Sequence, residues 1–208
     1  RMAYVGHTRQ GTCAGQRVLA DLGLTGIEIL NVDNACASGS SAIRYATLAI
    51  AHGMADVVLA IGMEKLSDRI KGIIPPREDD LEGAMGRVMP SVFAMIAQKH
   101  MEKYGTTKEQ LALISVKNHA HGAKNPRAQY RKEVSVEEVL RSRMICDPLT
   151  LLQCTPIGDG AAAVVLVNED VINQLTGLRI RVGASVLLSG GVRVGNDLRI
   201  DSAQRVVR

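Results

Sequence analysis

The stretch that most constrains the fold is NVDNACASGSSAIRYATLAIAHGMADVVLAIG, residues 31–62. Residues 27–32, IEILNV, carry the β-branched and aliphatic pattern of a strand. Residues 37–52 read as a helix with Ala, Ile and Leu on nearly every face, which predicts burial all round. The helix stops at His52-Gly53, and residues 55–63, ADVVLAIGM, form the continuous apolar run of a buried strand. Strand, helix, strand in this order is a βαβ unit, and the helix makes the crossover that parallel strands require. The fold class is therefore α/β. Upstream, residues 12–22 have helical spacing (Cys13, Val18, Leu19, Leu22) and end at Gly23, a natural left-handed stop.

The character changes at about residue 68. Residues 68–92 are broken by Gly and Pro and charged throughout, which predicts a loop or an excursion from the core. Two helices follow: 91–105, with Phe93, Ile96, Ala97 and Met101 on one stripe, and 107–122, capped by Thr106 or Thr107 with Glu109 or Gln110 completing a capping box. Residues 125–132 are a loop marked by Pro126, and 135–145 a short helix opened by Ser135 with Glu137 and Glu138 in its first turn. Residues 159–169 predict a strand that rejoins the sheet, and 179–191 a further one. The chain opens at Arg1, almost directly in an element, and closes on DSAQRVVR, so it reads as part of a longer protein.

Composition narrows the function classes. Aromatic residues are only 2% of the chain, the formal charge is +4, and basic residues are interleaved with acids except in KNPRAQYRK (124–132). A nucleic-acid surface needs clustered charge and stacking platforms, so none is expected. No window approaches the roughly 20 apolar residues of a membrane span, and RMAYVGHTRQ lacks the apolar centre of a signal peptide. The expected compartment is the cytoplasm. The four cysteines (13, 36, 146, 154) show no C-x-x-C pairing, which argues for free thiols and against a structural zinc site.

Cys36 stands apart from the other three. Asn34 and Ala35 permit a sharp strand-to-helix turn, which places Cys36 at or beside the first helical position. Unpaired N–H groups there favour a thiolate, the nucleophilic form. Ala37, Ser38, Gly39 and Ser40 are small enough for a carbonyl to approach the backbone, whose N–H groups can hold an oxyanion. The same residue also suits plain packing in a crowded helix. Spacing leaves both readings open. For Cys13, Cys146 and Cys154, buried packing is expected.

NVDNACASGSSA resembles the nucleophile segment of the thiolase superfamily, in particular of the sterol-carrier-protein-2-type thiolases and the bacterial lipid-transfer-protein-like enzymes. GLTGIEILNVDNACASGS extends the match upstream, and GMEKLSD follows where the family has its Gly-x-Glu segment. MPSVFAMIAQKHMEKYGTTKEQLALISVKNHAHGAKNPRAQYRKEV resembles the inserted loop domain, and DPLTLLQCTPIGDGAAAVVLV the return to the core. The short cysteine motif alone would also admit ketoacyl synthases; the combination does not.

The resemblance implies the thiolase fold: two βαβαβαββ halves layered αβαβα, with mixed five-stranded sheets and a mainly helical loop domain. It divides the chain into first-half core (1–67), loop domain (68–153), closing strand (154–176) and the start of the second half (177–208). It maps the nucleophile onto Cys36 and puts the activating histidine and second acid/base group beyond Arg208. Coenzyme A thioesters are then substrates, with no resident cofactor. His119 and His121 become ligand-lining or structural loop-domain residues. Lys124, Arg127, Arg131 and Lys132 become candidate partners of the coenzyme A phosphates, or simply a solvated face. Met85, Met89, Met95 and Met101 are expected in the loop-domain core, with an acyl or sterol channel as the alternative.

The implied activity is acyl-CoA C-acyl transfer through an acyl-Cys36. The alternatives are a retro-aldolase acting on a steroid side-chain CoA ester, and a non-catalytic acyl-CoA- or lipid-binding subunit. A homodimer or tetramer is implied as well, with a small accessory subunit as a further candidate partner, and a peroxisomal location if the source is eukaryotic.

Overall fold

The computed structural model describes residues 1–76, 80–177 and 179–189. In chain order it runs β1 (Met2–Gly6), α1 (Ala14–Asp21), β2 (Glu28–Val32), α2 (Ser38–Ala51) and β3 (Val57–Lys65). There follow α3 (Leu81–Ala84), α4 (Met89–Tyr104), α5 (Lys108–Ala123), α6 (Val136–Arg141), β4 (Met144–Cys146) and β5 (Leu149–Thr150). A 3₁₀ turn (Leu151–Gln153), β6 (Asp159–Val167) and α7 (Glu169–Ile172) complete it. The chain divides into two compact units: one holds Arg1–Arg69 with the described part of Gly158–Gly191, the other Ile70–Ile157.

The first unit is a four-stranded mixed sheet in the order β2-β1-β3-β6. β1 is parallel to both β2 and β3, and β6 is antiparallel to β3 over the full length of both, from Val57 against Val167 to Lys65 against Asp159. From β1 the chain moves outward through α1 to β2, then returns over β1 through α2 to β3. Right-handed crossovers in opposite directions put the two helices on opposite faces. The pleat of β1 obeys this. Met2 and Tyr4 pack with Ala42, Ala46 and Ala49 of α2, whereas Ala3 and Val5 pack with Leu19 of α1.

Several expectations need correction. α2 is not buried all round: Ser38, Ser41, Ala42, Ala46 and Ala49 form one buried stripe, while Tyr45 is 42% exposed. Alanine packs as readily in as out, so composition did not mark the outer face. α1 begins at Ala14 because Cys13 is left-handed (φ 55°), and Cys13 and Leu22 are exposed rather than packed. Residues 179–189 form no strand, and none has a ladder partner among the described residues; residues 190–208 lie outside the description.

The second unit is mainly helical. Thr107 and Ser135 cap α5 and α6 through capping boxes with Gln110 and Glu138. α6 stops at Arg141, not 145, because Met144–Cys146 pairs with Leu149–Thr150 in a small hairpin. Val139 and Thr150 are buried together, and the Thr150 hydroxyl donates to the Val139 carbonyl at 2.8 Å. Ile70, Ala94, Ala112 and Pro148 are buried in this unit as well. Phe93 and Met85, Met89 and Met95 are exposed instead of forming that core, while Met101 is half-buried. Cys146 and Cys154 are half-buried, and burial pushes the Cys154 thiol up.

Candidate active site

In an open α/β sheet, ligands bind outside the carboxyl ends of the strands where the chain reverses its direction across the sheet. Here that place is the top of β1, between β2 and β3. An open cavity of about 440 Å³ lies there. Gly6 and His7 from β1 line it, with Ala35, Cys36, Ser38 and Gly39 after β2, Gly62, Met63 and Glu64 from β3, and the start of β6.

Cys36 is exposed and lies two residues before α2, with Ala37 as the N-cap. The turn that presents it is unusual. Ala35 has φ 47°, a left-handed conformation that costs a residue with a Cβ about 1–3 kcal/mol and persists only where its surroundings hold it. They do hold it. The Ala35 N–H donates to Asp33 Oδ1 at 3.1 Å, and its carbonyl accepts from the Ser38 hydroxyl at 2.7 Å and the Ser38 N–H at 3.1 Å. Ser38 Oγ in turn accepts the Asn34 N–H at 2.8 Å, and Asn34 Nδ2 donates to Ser41 Oγ at 3.0 Å. Ser38, which also lines the cavity, and Ser41 thus help to fold the turn.

Glycine lets the helix start approach the strands. A Cβ on Gly6 would lie 2.7 Å from the Gly39 nitrogen and closer still to the Ser38 carbonyl, and a Cβ on Gly62 would lie 3.2 Å from Gly39 Cα. These three glycines bring the backbone of α2 into the strand ends, and they expose main chain in the cavity.

Two polar clusters flank the turn. Glu64 at the end of β3 accepts the backbone N–H of Thr8 at 2.9 Å and of Arg9 at 3.1 Å, and Gln10 Nε2 at 2.5 Å. Behind β1, Asn31 Oδ1 accepts the Gly15 N–H at 2.8 Å and faces His7 Nε2 at 3.0 Å. With Asn31 Nδ2 donating to Gln16, the network assigns the proton of His7 to Nε2. His7 Nδ1 is buried without a partner among the described residues.

The remaining sequence-predicted site residues belong to the second unit. His119 on α5 donates from Nδ1 to the Lys132 carbonyl (3.1 Å) and stacks on Tyr130 with ring centroids 6.1 Å apart. His121 sits in the last turn of α5 and Lys124 caps it, both exposed. Arg127 is exposed, and Arg131 is exposed with a 3.4 Å contact to the Pro126 carbonyl. The loop is drawn onto the helix at Gly122, where an added Cβ would meet the Tyr130 carbonyl at 2.8 Å. The structure therefore gathers His119, Tyr130 and Lys132 on one side of α5.

Sequence reading missed Thr8 and the hydrogen bonds that Glu64 accepts from residues 8–10. The GMEKLSD segment marked Glu64 by position, but nothing local links it to residues 8–10, which are more than 50 positions away. Among the described residues, no group of three or more His, Cys, Asp or Glu side chains is placed to hold a metal ion, and no helix is long and apolar enough to cross a membrane.

Residues 1–170 match the thiolase N-terminal domain. The acetyl-CoA acetyltransferase of Methanothermobacter thermautotrophicus is 41% identical over 216 residues, covering 99% of this chain and 56% of the relative. The benzoylsuccinyl-CoA thiolase subunit BbsB of Thauera aromatica is 43% identical, covering 90% and 50%. Sterol carrier protein 2 of Bos taurus is 42% identical, covering 83% and 34%. The chain thus spans about half the length, or less, of these curated relatives. Among solved structures, an Ltp2-ChsH2(DUF35) aldolase superposes with TM-score 0.68 at 25% identity, covering 84% of this chain and 46% of the other. The dimeric peroxisomal thiolase of Saccharomyces cerevisiae shares the fold at TM-score 0.62 and 18% identity, covering 83% and 52%. With a family match over most of its length and the strand-end cysteine turn in place, the chain belongs to the thiolase family.

Proposed function

We propose that the protein containing this chain is an acyl-CoA C-acyltransferase with Cys36 as its nucleophile. The observation that carries the proposal is the placement of an exposed Cys36 on a left-handed turn, at the mouth of the cavity where the sheet order reverses. In the thiolytic direction, Cys36 Sγ adds to the 3-oxo carbonyl carbon of a 3-oxoacyl-CoA. The bond between carbons 2 and 3 then breaks, its electron pair leaves on carbon 2, and that carbon takes a proton to give acetyl-CoA. The acyl group stays on Sγ as a thioester until the thiolate of free coenzyme A attacks it. N–H groups of a helix first turn, which have no intrahelical acceptor, are suited to hold the oxyanion. The histidine that activates Cys36 and the acid that protonates carbon 2 are assigned to the half of a thiolase that this chain does not cover.

The coenzyme A phosphates are proposed to meet the exposed Lys124, Arg127 and Arg131. Oligomer formation is proposed from the dimeric yeast thiolase, and an accessory subunit from the aldolase complex and the BbsB subunit. Four unpaired cysteines suit a reducing compartment such as the cytoplasm. The aldolase likeness favours a second reading, in which a steroid side-chain CoA ester is cleaved without acylation of Cys36.

One experiment separates the two. The intact protein is mixed with acetoacetyl-CoA, quenched and digested, and the Cys36 peptide is weighed. An acetyl group on that peptide, absent in Cys36→Ala together with turnover, supports acyl transfer. Absence of that adduct, together with cleavage of a 3-hydroxyacyl-CoA ester into a carbonyl compound and a shorter acyl-CoA by both wild type and Cys36→Ala, refutes it in favour of the aldolase reading.

A further inference from the structure

We propose that Glu64 and Thr8 form a positioning relay that holds the Cys36 turn in its acyl-transfer geometry, an inference that rests on Cys36 being the nucleophile. Glu64 lines the cavity, so a cavity carboxylate invites the role of catalytic base. Its hydrogen bonds argue otherwise. Oε2 is taken by the Thr8 N–H, and Oε1 by the Arg9 N–H and Gln10 Nε2. Three donors converge on one carboxylate and fix it in place, with both oxygens engaged by the segment after β1.

What the carboxylate fixes is the segment after β1, and that segment touches the nucleophile turn through one side chain. Thr8 Oγ1 lies 3.3 Å from Asp33 Oδ1, 3.3 Å from the Ala35 carbonyl and 3.5 Å from Ser38 Oγ. The hydroxyl has one proton to give. It therefore serves one of these oxygens at a time and sits centrally among the three groups that hold Ala35 left-handed. The relay ties together the carboxyl ends of β3, β1 and β2, in that order. Ala35 adjoins Cys36 directly, so a turn released at Thr8 moves the sulfur. Neither residue needs to touch substrate, and both are positioning residues.

The inference predicts a split between thiol reactivity and acyl transfer. Four proteins are compared in intact form: wild type, Thr8→Val, Thr8→Ser and Glu64→Gln. Thr8→Val keeps the shape and removes the hydroxyl. Thr8→Ser restores it. Glu64→Gln replaces one acceptor by an N–H₂ group that must face a backbone donor. Each is assayed for the rate of Cys36 acylation by acetoacetyl-CoA under single-turnover conditions, for its substrate dependence, and for alkylation of the Cys36 peptide by iodoacetamide.

The expected result is a fall in the limiting acylation rate of about ten-fold for Thr8→Val and more for Glu64→Gln. Half-saturation should stay unchanged, alkylation should remain within about two-fold of wild type, and Thr8→Ser should recover the rate. A purely structural role would lower thermal stability and leave the rate per folded molecule alone. If Glu64→Gln does not fold, the two threonine variants decide. Wild-type acylation rates in Thr8→Val, or a failure of Thr8→Ser to rescue, overturn the relay. Absence of any Cys36 adduct in the wild type overturns the nucleophile reading beneath it, and the two failures are thereby told apart.

Discussion

Gly6→Ala is the sharpest single perturbation that the fold offers. Gly6 ends β1, and the methyl group would point into the start of α2. Its carbon would lie 2.7 Å from the Gly39 nitrogen, with the Ser38 carbonyl nearer still. Ordinary contact for such a carbon begins near 3.4 Å, so the helix start or the strand must yield by about 1.1 Å to clear the Ser38 carbonyl. Both sides of the clash are backbone, and neither has a flexible end to swing away. Overpacking of this kind costs about 1–3 kcal/mol.

The functional effect is expected to exceed the loss of stability. The displaced segment carries Cys36 and the first turn of α2, and a misplacement of about 1 Å at a reacting group is worth on the order of 100-fold in rate. Denaturant unfolding gives the first quantity, and single-turnover acylation by acetoacetyl-CoA the second. Gly183→Ala, where an added Cβ meets nothing within 4 Å, is the reference substitution. A Gly6→Ala protein that acylates Cys36 at the wild-type rate would refute the argument that close backbone approach sets the geometry of the proposed nucleophile.

Acid should loosen both units. Asp159 is held below its usual range by the Ser67 hydroxyl and N–H, and Asp147 by the Lys108 ammonium, which lies 2.6 Å away. A carboxylate with a depressed folded pKa contributes fully above its unfolded value, near ~3.9, and loses that contribution as the pH falls through the lower folded value. Thermal melts from pH 6 down to pH 2 should therefore show stability lost below about pH 4, less so in Asp147→Asn and Asp159→Asn, and parallel slopes in these variants would contradict the assignment. Thr107→Ala removes the side-chain acceptor of the Gln110 N–H at the start of α5. It should cost about 1 kcal/mol in urea unfolding, with Thr107→Ser near wild type.

The parts of the fold legible in the sequence are those governed by local rules. The strand, helix, strand run at 27–63 could be placed because apolar periodicity and a terminating glycine act within a few residues. The caps at Thr107 and Ser135 could be placed for the same reason. Burial was harder. Ala42, Ala46 and Ala49 face the sheet while Tyr45 looks outward, and an alanine-rich helix carries no polar stripe to announce that choice. The small hairpin at 144–150 is not legible because its strands are too short to alternate, so the helical pattern of 135–145 runs on through Met144 in the sequence.

The candidate site follows the same division, and this explains why its chemistry was easier to read than its mechanics. A cysteine among small residues before a helix is a local signal, and Cys36 could be singled out by it. The left-handed Ala35 is not local: an alanine there is disfavoured by its own backbone and persists only because Asp33, Ser38 and Thr8 surround it. Thr8 is held in turn by Glu64, 56 positions later. Each of these residues alone looks like an ordinary surface polar group. Only the parallel pairing of β1 with both β2 and β3 brings their carboxyl ends to one place. The sheet order thus does two things at once: it opens the crevice, and it supplies from three strand ends the hydrogen bonds that keep the strained turn in that crevice.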